Sequence, residues 1–579
     1  MHDYDIVILG SGIAGLTAAI HASKSIGEKK RIAVISKLHL MRSHSIAAEG
    51  GISGVLYPGK HDDSYELHGY DTAKGSDYLA DQDAIETLVK NAPKEIRFFE
   101  HLGVPWTRES NGSILPRAFG GMSVKRTAFA EDKTGFFMMR ALYDTLLSLD
   151  NVDRFHEHFI TSMLVRDNRF AGLFGIDLAT GNTKLFTAKS CIIATGGHSR
   201  IYGFTTTSHS STGDGTALAY KAGLPLKDME FVQFHPTALV PSGILITEAA
   251  RGEGGYLKNA KGERFMKRYA KSVMELAPRD IVSRAITTEI ANGRGVTQEG
   301  VDTKCVYLDL RHLGGDVLDE RLPMIKDITI KTLGLDPAEE QIPVRPAAHF
   351  TMGGIHTNLD GNVVSYNLKD LVGGLYAIGE CGCVNVHGAN RLGSNSLSEC
   401  AVWGRIAGIA ASKYIKLGHK ARSQSEIRKF AESAEEELNE IADSEGSIDP
   451  YTIREQLHSI MEEHVHIFRN KKGLNEARKK MQRVKRMYKD VYVSDKGKIF
   501  NTNLRDALEI GNLVELADVT IRCAISRKES RGAHTRADHR KRDDKHWLKH
   551  TIAKNVKGNI EISYLPVTIT KWQPKPREY

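Results

Sequence analysis

Gly10-Ser11-Gly12-Ile13-Ala14-Gly15 fits G-x-G-x-x-G. That spacing suits a dinucleotide: the first glycine allows a tight turn, the second lets backbone approach a pyrophosphate, and the third lets helix and strand pack closely. The second strand ends in Ser36-Lys37 rather than an acid. A serine hydroxyl can still bond a ribose hydroxyl, so NAD and FAD both remain open on these residues alone. His44 follows in Arg42-Ser43-His44-Ser45-Ile46-Ala47-Ala48-Glu49-Gly50-Gly51. Taken bare, it is a loop histidine bonded to backbone. Thr247-Glu248-x-x-Arg251 is, by itself, an i,i+3 ion pair on a surface helix, worth about 0.2–0.5 kcal/mol. Pro278-Arg279-Asp280 alone suits a helix start. The six cysteines, Cys191, Cys305, Cys381, Cys383, Cys400 and Cys523, show no C-x-x-C spacing. Zinc ribbons, thioredoxin-like chemistry and ferredoxin-type clusters therefore have no support.

These residues need elements to hold them. Tyr4–Leu9 reads as a buried parallel strand, Ile13–Ala22 as an apolar helix and Arg31–Ile35 as a second strand, a β-α-β unit. Helical patterns cover Ala84–Leu102 and Thr134–Leu147. Strand-like alternation over 155–195 ends in a glycine turn at Gly196-Gly197, and a strand-turn over Gly374–Cys381 precedes a helix over Ser396–Leu417. The spacing then predicts long charged helices over Ser425–Ala442, Tyr451–Lys472, Glu476–Val491 and Leu504–Arg527. Residues 528–550 are dense in Arg, Lys, His and Asp.

With 579 residues the chain should form roughly two to four domains. Hydrophobic residues at 41% and charged residues at 26% argue against a disordered chain. No apolar run reaches about 18 residues, which argues against a membrane-spanning helix. The start lacks the features of a secretory or transit peptide. The net charge of +8 is spread over 79 basic and 71 acidic residues, too diffuse to choose among nucleic acid, a membrane surface and an acidic substrate.

R-S-H-x-x-A-A-E-G-G after such a unit resembles the flavoprotein subunit of the succinate dehydrogenase/fumarate reductase family. The resemblance runs nearly the whole length. It includes Ala194-Thr195-Gly196-Gly197, Thr212-Gly213-Asp214-Gly215, Phe234-His235-Pro236-Thr237 and Thr247-Glu248-x-x-Arg251-Gly252-Glu253-Gly254-Gly255. Further along come Ala277-Pro278-Arg279-Asp280, Arg345-Pro346-x-x-His349-x-x-Met352-Gly353-Gly354, Gly379-Glu380 and His387–Leu397. Glu529-Ser530-Arg531-Gly532-Ala533-His534-x-Arg536-x-Asp538 closes the set. Two departures are His539-Arg540-Lys541, where the family often has a proline, and Met122, where glutamine is common.

The resemblance implies covalent FAD, carried by His44 through the flavin 8α-methyl. It implies FAD contacts from the Gly10–Gly15 turn, Ser36, Lys37, Ser43, Gly50, Gly51, Asp214, Glu380, Arg391 and the helix start Ser394, Asn395, Ser396 and Leu397. His235, Thr247, His349 and Arg391 would bind a dicarboxylate, succinate or fumarate. Arg279, Glu248 and Arg251 would form the proton relay, with His235 beside them. Arginine suits such a site through bidentate recognition of a planar carboxylate. An iron–sulfur subunit and, beyond it, a membrane anchor and quinone are implied, because this chain lacks cluster ligands. So is a peripheral place at the cytoplasmic face of a prokaryotic plasma membrane. The C-terminal helices and basic stretch are candidate docking surfaces.

The expected fold is α/β. A Rossmann-like FAD-binding domain (1–235 and 345–424) is split by an α+β capping domain (236–344), then come a helical domain (425–545) and a short C-terminal region (546–579). The alternatives are an L-aspartate oxidase-like soluble flavoenzyme, which would lack His44, and a flavin-containing RNA-modifying protein. The second has no use for His235, Arg279, His349 and Arg391 together, so no nucleic-acid partner is expected.

Overall fold

Ile6 to Leu9 form a continuous apolar run, and such a run is stable as a strand only when covered on both faces. The strand His2–Leu9 meets that demand. It pairs in parallel with Ile32–Ile35 on one side and Thr183–Ile193 on the other. The computed structural model describes residues 2–59, 62–298, 301–418 and 423–578. Among these, the strand lies inside an eight-stranded sheet that Val152–Phe155 extends at one end and Leu371–Ala377 and Asn362–Val364 extend toward the other. The helices Ile13–Ile26 and Asn395–Lys416 cover it with small and aliphatic side chains.

A second, antiparallel sheet is inserted between the halves of this unit. Val232–Leu239 pairs with Ile342–Thr351, and Val301–Asp309 and Tyr256–Lys258 continue it. The pairing slips at Gln233/Phe234 and again between His235 and Ala238. Such irregularities re-aim side chains beside functional sites. This unit has its own core, including Leu239, Ile246, Leu257, Ile286, Val306 and Val344.

Beyond residue 423 the chain is mostly helical. Gln424–Ala442, Pro450–His464, Lys471–Lys489 and Thr502–Ser526 pack around Leu457, Met461, Leu474, Met481 and Leu513. One expected boundary moves. The second helix stops at His464, not Lys472, and the third starts at Lys471, not Glu476. Asn470 caps that third helix by accepting from the Gly473 N–H at 2.8 Å, so Gly473 belongs to a first turn and marks no break. Phe468–Arg469 between the helices pairs with Thr535–Arg536.

Part of the charged stretch expected as a candidate docking surface is buried, while Lys528, Arg540, Lys541 and Lys545 remain exposed. Arg527, Glu529, Arg531 and His534 are all at most 1% exposed. Arg527 pairs with Glu230 at 2.6 Å and Glu529 at 2.9 Å, and Arg531 with Glu529 at 2.7 Å. Local Glu529 and distant Glu230, 297 positions from Arg527, neutralise these arginines inside the protein. The hairpin Lys549–Val556/Asn559–Pro566 then returns to pair with Leu226–Lys227. The final segment reaches Asp280, to which Arg577 donates at 2.6 Å. Among the described residues no helix is long and apolar enough to cross a membrane.

Candidate active site

The glycine turn sits where the first strand meets its helix. Gly10 has φ +113°, and a Cβ there would fall 2.2 Å from the Ala194 carbonyl oxygen. A Cβ on Gly15 would fall 2.1 Å from the Gly10 oxygen. Gly15 therefore sets packing and does not line the cleft, while Gly10, Ser11, Gly12, Ile13 and Ala14 do. No side chain caps the helix from Gly12. Its first turn offers N–H groups to an anion, apart from Ile13, which donates to Ser45 Oγ at 3.2 Å. Ser11 Oγ donates to Ser36 Oγ at 3.1 Å.

Ser43, His44, Gly50 and Gly51 line the same cleft. The Ser208 N–H donates to His44 Nδ1 at 3.3 Å. That leaves Nε2 without a protein partner among the described residues. Burial holds the His44 ring neutral, down to about 4.

At the cleft's other end the two units meet. Glu248 and Arg251 lie in the short helix Glu248–Gly252, capped by Thr247, and Arg279 opens the helix Arg279–Glu289. Arg279 Nε donates to Glu248 Oε2 at 2.7 Å. The Gly120 N–H donates to Glu248 Oε1 at 2.6 Å. Arg251 Nη2 lies 3.7 Å from Glu248 Oε2. Burial pushes the Glu248 carboxyl up, but Arg279 and Arg251 more than reverse this and leave it below its ordinary value. Arg251 stands behind Glu248, outside the cleft lining.

His235 and His349 come from the two strands joining the units, and their rings are 5.0 Å apart. Burial, then Arg279, holds both far below the ordinary histidine value. The Thr237 N–H donates to His235 Nδ1 at 3.3 Å. The neutral ring thus carries its proton on Nε2, a buried atom with no partner. His349 Nδ1 is joined to Thr206 Oγ1 at 2.6 Å. Arg391 stacks over the Phe350 ring at 4.4 Å and donates to Ser396 Oγ at 2.9 Å. Burial, then Arg279, lowers its guanidinium to about 9, and its Nε has no partner.

Arg279 and Arg391 thus line the cleft with Glu248 and the two neutral imidazoles, and His235 Nε2 and Arg391 Nε are unpartnered there. Their orphaned donors each cost about 1–3 kcal/mol unless a ligand accepts from them. A small dianion would accept from these donors and balance the excess charge.

Other expected contacts are already engaged within the protein. The Asp214 carboxylate accepts from Lys37, Thr212 and Asn512, and Lys37 also donates to Glu509. Both residues reach the cleft, but as a fixed ion cluster. Asn395 is turned away, its side chain donating to Thr72 Oγ1 at 3.0 Å and meeting His68 Nε2 at 3.1 Å. Ser394, Ser396 and Leu397 line the cleft at the start of their helix, and Ser394 Oγ is unpartnered. Glu380 accepts from Thr351 N–H at 2.9 Å, and burial raises it to about 7. Three participants were missed: Phe119 and Thr206, and Gln233, which bonds both Arg279 and the backbone of Arg391. Phe119 stands before Gly120-Gly121, a pair that marks close backbone approach. Nothing local signals the other two.

A family model described as an FAD binding domain matches residues 5–397, and one described as the fumarate reductase flavoprotein C-terminus matches residues 454–579. The chain belongs to the succinate dehydrogenase/fumarate reductase flavoprotein family. It is 44% identical to the succinate dehydrogenase flavoprotein subunit of Rickettsia bellii, over 98% of this chain and 96% of that one. It is 42% identical to the fumarate reductase flavoprotein subunit of Haemophilus influenzae, over 99% and 96%. A structure of an E. coli quinol fumarate reductase flavoprotein variant superposes with TM-score 0.95 at 39% identity, covering 100% of this chain and 99% of that one.

The protein is therefore an FAD-dependent oxidoreductase of this family. The flavoprotein's cleft fits FAD on its own features: a glycine cradle that no side chain could occupy, an uncapped helix start, and an unpartnered Ser394 hydroxyl.

Proposed function

We propose that this subunit interconverts succinate and fumarate on FAD bound covalently through His44, and exchanges electrons with an iron–sulfur partner. The convergence of His235, Thr247, Arg279, His349 and Arg391 on the cleft that His44 lines supports this reading above all else. Arg391 and the His235 and His349 imidazoles hold the two substrate carboxylates, and the Thr247 hydroxyl adds one directional donor. Arg279, gripped by Glu248, delivers or accepts the proton at the substrate carbon, and Arg251 behind Glu248 relays it. The buried, preorganised donors exclude water and fix the diacid for reaction. Bound FAD supplies the hydride acceptor or donor.

His44 suits the tether. Its Nδ1 is fixed by Ser208 and its ring is neutral. The unit over 236–344 serves as a cap on an FAD-binding domain made of 1–235 and 345–424. The iron–sulfur subunit connects to a membrane anchor and quinone, so the flavoprotein lies peripherally on the membrane. The named relatives, one a quinol fumarate reductase, support this assembly. L-aspartate oxidase chemistry has no need of His44.

Acid precipitation of the denatured protein tests the tether: the yellow colour should stay with the polypeptide. Release of all pigment would defeat it. Succinate-dependent dye reduction, inhibited by malonate, tests the reaction.

A further inference from the structure

A second cavity shares Phe159 and Leu218 with the flavin cleft as a common wall. The helix Gln424–Ala442 presents Phe430, Ser433, Ala434, Glu437, Leu438 and Ile441 to it, a spacing that places all six on one helical face. Opposite stand Met163 of the strand His158–Arg166, the helix residue Lys221, and Tyr488 and Asn512 of the helical region.

Lys221 sets this cavity apart. An ammonium has three donors. Lys37, nearby in the same network, uses all three, on Thr212, Asp214 and Glu509. Lys221 has one partner, Asn512 Oδ1, at 2.8 Å. Among the described residues no carboxylate oxygen comes within 4.0 Å of it. Of its acidic neighbours, Glu515 is committed to Lys485 and Asp214 to Lys37, while Glu437 stands at the rim without pairing with it. Lys221 lines the cavity while remaining exposed, so its two other donors are open to a ligand.

We propose that this cavity is a ligand site for a monocarboxylate with an apolar body, its carboxylate anchored by Lys221 and its body lying along Met163, Phe430, Ala434 and Leu438. One cation with free donors at the end of an apolar wall matches that ligand class. Glu437, at the rim, disfavours a second negative charge on the ligand, which separates this site from the diacid site.

Isothermal titration calorimetry on the native, flavin-loaded complex tests this, with malonate saturating the dicarboxylate site. Octanoate is the probe, with octan-1-ol and octylamine as neutral and cationic comparators. Octanoate should bind saturably at one site per flavoprotein, at least tenfold more tightly than either comparator. Lys221→Gln should weaken it at least tenfold, and Lys221→Arg should retain it. Ser433→Trp fills the cavity from an exposed rim position and should abolish binding without touching the core. Absent binding, equal binding of octan-1-ol, or octanoate affinity unchanged in both Lys221→Gln and Ser433→Trp would each overturn the proposal.

Discussion

The side-chain oxygen of Gln233 accepts a hydrogen bond from Arg279 Nη1 at 3.1 Å. Its nitrogen donates to the Arg391 backbone oxygen at 2.7 Å. One amide thus fixes the distance between the proposed proton donor and the proposed substrate clamp. Gln233→Leu removes both bonds. Since misplacement by about 1 Å can cost about a hundredfold in rate, kcat for succinate–dye reduction should fall about ten- to a hundredfold. KM should change less than threefold (roughly 0.6 kcal/mol). A rise in KM alone would refute the positioning role.

Arg279 presents the reverse case. Arg279→Ala should abolish succinate oxidation while the polypeptide keeps its flavin through acid precipitation. Loss of flavin together with activity would show a folding defect instead.

The buried ion cluster around Arg527 carries stability. Glu230 accepts from Arg527 Nε at 2.6 Å and from the Thr551 hydroxyl at 2.6 Å. Removing one member of such a set leaves a buried charge short of its partner, at a cost of about 3–5 kcal/mol. Glu230→Leu should lower the urea midpoint of the flavoprotein by a corresponding amount. An unfolding free energy within about 0.5 kcal/mol of the parent, the range of ordinary surface substitutions, would remove this account.

His550 gives a pH dependence. Its ring lies between Asp228 at 2.7 Å and Asp81 at 3.1 Å. Burial and Lys227 push it toward neutrality, but the two carboxylates outweigh them and raise it above the ordinary value. Folding therefore favours the charged ring. The stabilisation is complete below the unfolded value of about 6.5 and fades as pH climbs through the raised folded value. The thermal midpoint should fall across that alkaline window, and His550→Gln should flatten the fall. An unchanged slope in the variant would count against it.

Local chemistry made much of this protein legible. The glycine turn is specified by six adjacent residues, and Thr134–Leu147 forms over the span its periodicity predicts. The motif around His44 is long enough to be unmistakable. Long-range pairing was not legible. Gln233 on its strand meets Arg279 at a helix start 46 positions away, and no neighbour in sequence announces that. The Lys471 helix start was hidden because Gly473 looks like a stop, while the Asn470 cap that absorbs it is a single side chain. The burial of Arg527, Arg531 and Arg536 is not legible in a charge-dense stretch, because only the folded chain brings Glu230 to meet it.

Lys37 follows the dinucleotide turn closely, yet one of its bonds, 2.6 Å to Glu509, spans 472 positions of the chain. The ion cluster that Lys37 joins is therefore complete only once nearly the whole polypeptide has been made. A chain truncated ahead of Thr502 would leave Lys37 without one of its partners.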